Sequence, residues 1–87
     1  MRLTRLLWDE RNVEHIAQHG ISPEEVEQAC FSKSKVRRGR CGRYIVLGRT
    51  AGGRHLLVVM AYLGSGEGRV ITARDMDPKE RALFRRK

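Results

Sequence analysis

The sequence is short of cysteine, of acidic residues and of long apolar runs, and each shortage excludes something. Its two cysteines, Cys30 and Cys41, form no zinc-ligand spacing with His15, His19 and His55, so no metal or other cofactor is expected, and spacing gives no support to a disulfide between them. No apolar run approaches the roughly 20 residues of a membrane span. The apolar stretch in the opening MRLTRLLWDERN is only two leucines and a tryptophan before charge returns, so no signal peptide is expected and a cytoplasmic location is the reading.

What is present is positive charge. Lys and Arg number 18 against 10 Asp and Glu, a formal +8, and 14 of the 18 cations are arginine. Arginine's planar fork meets two phosphate oxygens at once, so the bias points to an anionic partner, with nucleic acid ahead of an acidic protein or a membrane surface. Residues 1–31 carry three bases and six acids, whereas 32–87 carry fifteen bases and four acids. The basic surface belongs to the C-terminal two thirds. With 87 residues and 40% hydrophobic content, the chain suits one domain with a single thin core.

Two helices open the chain. Asp9 is placed to cap one running to about Gln18, with Val13, Ile16 and Ala17 inward and Gly20 ending it. Ser22-Pro23-Glu24-Glu25 combines cap, proline and capping-box glutamate, and places Val26, Ala29 and Cys30 on the inner stripe. Residues 32–42 are basic and glycine-punctuated, which suits a loop or an exposed edge strand. Tyr44 to Thr50 and Arg54 to Leu63 read as strands around an Ala51-Gly52-Gly53 turn. The unbroken apolar run Leu56 to Ala61 reads as a central strand covered on both faces. Gly64 to Gly68 reads as a flexible loop. Arg69 to Arg74 is a third strand in which Val70 and Thr72 alternate with Ile71 and Ala73, and Asp77-Pro78-Lys79-Glu80 opens a last helix ending in Arg85-Arg86-Lys87. A short strand at Arg2 to Leu7 is a further candidate. The expected fold is α+β: an antiparallel sheet of three to five strands, with two N-terminal helices and one C-terminal helix. Val13, Ile16, Val26, Ala29, Leu57, Val59 and Ile71 are its expected buried residues.

Trp8-Asp9 with Asn12, then His19-Gly20-Ile21-Ser22, resembles the N-terminal signature of the BrnT family of bacterial toxins. Gly48-Arg49 with Gly53-Arg54 before an apolar strand resembles that family's middle, and Ile71-Thr72-Ala73-Arg74 followed by Glu80-Arg81 resembles its end. The resemblance implies a RelE-like fold and a ribonuclease of a type II toxin-antitoxin pair. Its partners would be RNA and a cognate antitoxin of ribbon-helix-helix or helix-turn-helix type. The chain departs from the family pattern at Gln18, Thr72 and Phe84.

Metal-free RNA cleavage needs a base for the ribose 2′-OH, an acid for the leaving oxygen and cations for charge on phosphorus. Arg74, ending a strand before a helix N-terminus, suits the third task, with an ion pair to Glu80 or Asp77 as the plain structural alternative. Glu80 is a capping residue or a base, and His19 is a base or a packing residue beside a helix-ending glycine. Arg49 joins them as a catalytic candidate. Arg54 flanks the same turn, and Arg37, Arg38, Arg40 and Arg43 form the densest basic run, so these five are candidate RNA contacts. Tyr44 and Tyr62 are candidates for stacking on bases or for packing. The rival reading is a non-catalytic module of the same fold that binds RNA or a protein. Gln18 and Phe84 favour the module, and Arg74 with Glu80 favours the enzyme.

Overall fold

The computed structural model describes residues 2–86; Lys87, expected at the end of the last helix, lies outside them. The chain runs β1 (Arg5–Leu7), α1 (Glu10–Ala17), α2 (Pro23–Phe31), β2 (Lys35–Arg38), a 3-10 turn (Arg40–Gly42), β3 (Arg43–Arg49), β4 (His55–Gly64), β5 (Glu67–Asp75) and α3 (Pro78–Arg85). The strands form one sheet in the order β1-β5-β4-β3-β2.

Each helix starts where its cap dictates. Asp9 accepts from Asn12 N at 2.9 Å while Asn12 Oδ1 accepts from Asp9 N. Ser22 with Glu25, and Asp77 with Glu80, make the same reciprocal box. Each cap contributes about 1 kcal/mol, a sizeable share for a domain this small. Gly20 adopts φ +69° after α1, in the left-handed region that suits glycine.

β4 is the central strand, paired antiparallel with β3 and β5, and both its faces are covered. Leu56, Val58 and Met60 are fully buried with Ile16, Val26, Ala29, Val46, Val70 and Ala73 beneath α1 and α2. Leu57 lies on the opposite face with Leu47 and Met76, beneath Leu83 and Phe84 of α3. Two-sided cover is why the run does not alternate.

Several local expectations change. β1 pairs with β5 in parallel, so the otherwise antiparallel sheet has one parallel pair at its edge. The expected loop at 64–68 is a tight hairpin in which Gly64 pairs with Glu67, and Ser65 and Gly66 take φ +52° and +80° as a two-residue turn requires. The strict alternation expected of β5 fails at a bulge: Val59 pairs with Thr72 but Met60 with Val70, leaving Ile71 unpaired. Ala17 is exposed, and Val13, Val59 and Ile71 are half-buried, because the sheet is too narrow to bury every apolar position. β2 is the exposed edge strand anticipated.

Candidate functional site

Strand pairing sorts the basic residues, since directly opposed residues of an antiparallel pair share a face. On the face that α3 partly covers, one row holds Lys35, Leu47, Leu57 and Arg74, and the next holds Arg37, Ile45, Val59 and Thr72. Arg49 and His55 oppose each other at one end of this face, and Arg43 lies across from Ala61, itself opposite Arg69, at the other. Cations thus rim an apolar floor.

Arg74 and Glu80 meet as a two-point fork, with Nη1 to Oε1 at 2.8 Å and Nη2 to Oε2 at 2.7 Å. Glu80 Oε1 also accepts from Asp77 N. One carboxylate therefore caps α3 and ties the helix to β5. The hydrogen bonds from Arg74 hold the Glu80 carboxyl below its ordinary range, and Glu80 in turn raises the Arg74 guanidinium. A carboxyl held in this fork is a weaker proton acceptor than a free one, which suits Glu80 to holding Arg74.

Arg49 makes no ion pair among the described residues. Its guanidinium lies over Gly53 in the β3–β4 loop. His55 packs edge-on to Phe84, with ring centroids 5.7 Å apart. Desolvation lowers the His55 imidazole below its ordinary value, and the nearby charges of Arg49, Arg81 and Arg85 lower it further. The charged form of this imidazole is thus disfavoured both by burial and by three nearby cations.

Arg54 and His19 lie elsewhere. Arg54 precedes β4 on the α1–α2 side, with Nε and Nη2 bonded to the two oxygens of Asp75 at 2.7 and 3.0 Å. Its Nη1 donates to Gly20 O at 2.8 Å and its Nη2 to His19 O at 3.2 Å, and Glu25 completes the surround. Arg54 is a clamp that joins the α1–α2 turn to the end of β5. His19 offers that clamp a carbonyl and sets its exposed ring 6.1 Å from His15.

Arg54→Met should therefore destabilise the protein by about 1–2 kcal/mol near pH 7, allowing for solvent at exposed Asp75. The Arg54 hydrogen bonds hold Asp75 below its ordinary value, so this stabilisation is full above the ordinary Asp range and is lost as pH falls through the lowered value. Urea unfolding of wild type and variant across pH should show two curves converging in acid; a constant gap would remove the Asp75 clamp.

The basic run is divided. Arg37 and Arg43 share the α3 face, Arg38 opposes Tyr44 on the other, and Arg40 sits in the 3-10 turn. Tyr44 and Tyr62 pack edge-to-face at 6.2 Å, and the Tyr62 hydroxyl accepts from Gly66 N. Burial, with Glu27 nearby, pushes the Cys30 thiol up to about 12, leaving it inert. Cys30 and Cys41 are both free.

Residues 8–80 match the family described as ribonuclease toxin, BrnT, of type II toxin-antitoxin systems. The chain belongs to the BrnT family. The fold agrees: the 1.1 Å crystal structure of the Brucella abortus ribonuclease toxin, BrnT, is similar with a TM-score of 0.69 and 26% identity over 83% of this chain and 95% of that one. No curated protein matches the chain by sequence. BrnT membership makes RNA the substrate class and an antitoxin the partner. Among the described residues no helix is long and apolar enough to cross a membrane.

The BrnT signature residues divide between scaffold and face. Asp9 and Asn12 cap α1, Trp8 Nε1 donates to Glu27 at 2.8 Å, and Gly48 lets α2 lie against β3. Arg49, Arg74 and Glu80 lie on the α3 face. The residue that sequence reasoning passed over in this BrnT chain is His55. Its one local signal was parity: it stands one residue before an apolar run that alternates between two covered faces.

Proposed function

We propose that this chain is a metal-independent endoribonuclease whose cleavage site is the α3 face, with Arg49, His55 and Arg74 acting on RNA and Glu80 positioning Arg74. The observation that carries this is the Arg49–His55 pair, an imidazole opposite a cation that has no carboxylate partner among the described residues. His55 takes the proton of a ribose 2′-OH. The 2′-oxygen attacks phosphorus, the bond to the 5′-oxygen breaks, and that oxygen takes a proton from water, leaving a 2′,3′-cyclic phosphate. Arg49, Arg81 and Arg85 meet the charge that builds on the phosphoryl oxygens, as preorganised cations do. Arg37, Arg43 and Arg69 extend the phosphate contacts along the same face. His55 here fills the part that sequence alone suggested for His19. The cell compartment is the cytoplasm, and the antitoxin is of ribbon-helix-helix or helix-turn-helix type.

A base must be neutral to act, and His55 is held below its ordinary value, so cleavage should persist to lower pH than a free imidazole allows. His55→Asn should remove that acid limb and lower the rate about 10²–10⁴-fold. The test is RNA cleavage in chelator as a function of pH, with end-group analysis and melting temperature for each protein. An unchanged pH profile in His55→Asn would exclude His55 as the base. The binding-module reading has one observation in its favour, the closed Arg74–Glu80 fork that neutralises Arg74 before any ligand arrives. Wild type that binds RNA yet cuts none would favour it.

A further inference from the structure

Three shallow clefts of about 350, 390 and 400 Å³ join into one trough at the edge of the molecule. The first two share Ser32, Arg49, Thr50 and Ala51, and the second and third share Lys33 and Phe84. The trough begins at the C-terminus of α2, crosses the β3–β4 loop and follows the last turn of α3. Its lining holds Lys33, Lys35, Arg49, Arg85 and Arg86, with no carboxylate side chain among the described lining residues. Lys35 is committed: its Nζ donates to Leu83 O and Arg86 O and so caps α3. The other four cations make no ion pair among the described residues.

Two aromatic rings interrupt this charge. Phe31 ends α2 with 46% of its surface exposed, one of three large apolar residues so placed among the described residues. Phe84 is half-buried and lines the trough beyond Arg49, with His55 packed against it. Alternating cations and accessible rings suit a strand whose phosphates and unstacked bases are both available. A duplex hides its bases in the stack and offers only its backbone.

We propose that this trough is the path of single-stranded RNA, with Phe31 and Phe84 stacking on bases and Lys33, Arg49, Arg85 and Arg86 meeting phosphates. The proposal rests on the reading of the α3 face as the cleavage site, because Arg49 belongs to both. A strand laid along the trough brings one phosphate to Arg49, and the next apolar platform is the ring that holds His55. Selection for unpaired RNA follows from the rings, and affinity from the cations.

The test uses a 2′-O-methyl oligonucleotide, which binds but cannot be cut through its 2′-oxygen. It is compared with the same strand annealed to its complement and with an abasic strand of equal charge. Wild type should prefer the base-bearing single strand. Phe31→Ala should weaken that binding about tenfold, leave binding of the abasic strand unchanged, and keep the salt dependence. Lys33→Ala with Arg86→Ala should instead flatten the salt dependence by about two phosphate contacts, with melting temperature unchanged. Equal affinity for abasic and base-bearing strands, for duplex and single strand, or for Phe31→Ala and wild type would overturn the path. So would variants that lose the antitoxin complex while RNA binding is intact, since the trough would then belong to the protein partner. Wild type that cleaves RNA while Phe31→Ala binds normally removes the path and leaves the cleavage site standing; wild type that binds as described but cuts nothing does the reverse.

Discussion

Gly48→Ala is expected to cost this protein most of its stability. A Cβ at Gly48 would overlap the carbonyl oxygen of Ala29 and lie 2.6 Å from its carbon, so the clash is with α2 backbone. A flexible side chain could move aside, but a helix capped at Ser22 and packed through Val26, Ala29 and Cys30 has to shift as a body. Overpacking of this kind costs about 3 kcal/mol or more, against total stabilities of about 5 kcal/mol for small domains. Gly52→Ala in the adjoining loop is the control, since its Cβ would meet nothing closer than Thr50 Oγ1 at 3.9 Å. Urea midpoints that coincide for Gly48→Ala and Gly52→Ala would show that α2 is not seated on β3 as described.

The second large effect is on chemistry. Arg49→Gln should reduce RNA cleavage about 10²–10³-fold, the usual cost of removing one preorganised partner of a developing oxyanion. Melting temperature should stay at the wild-type value, because the Arg49 guanidinium supports no ion pair among the described residues. Arg74→Lys makes the contrast. It keeps the charge but loses the two-point fork to Glu80, so its loss of cleavage should come with a loosened α3. Full activity in Arg49→Gln would move the cleavage site away from this end of the face.

The features legible in the sequence are those with a local cause. Ser22-Pro23 and Asp77-Pro78 announce helices because a cap, its box partner and proline act within four residues, and both helices start there. The run Leu56 to Ala61 announces a central strand because burial on two faces leaves no polar position. Arg74 and Glu80 could be nominated together because they flank one short turn. What stayed hidden depends on distant partners. The parallel pairing of β1 is made with residues more than sixty positions away. Consecutive arginines 37 and 38 look like one patch along the chain, yet the pleat sends them to opposite faces. His55 gains its character from Arg81, Arg85 and Phe84, which reach it only when α3 folds back over the sheet.

The bulge at Ile71 decides which side of the sheet Arg74 serves. Counting two by two from Arg69 with no interruption, the odd-numbered positions 71 and 73 would share its side, and Arg74 would face α1 and α2. The single unpaired residue reverses that parity, so Arg69, Thr72 and Arg74 face the same way while Ala73 drops into the core. A relative of the same length that paired straight through this stretch would keep the arginine in its alignment column and still present it to the wrong half of the molecule, whereas one that lost only the bulged residue would keep it on the α3 side. In comparing members of the family, the spacing before this arginine therefore carries functional meaning only when it is read together with the bulge.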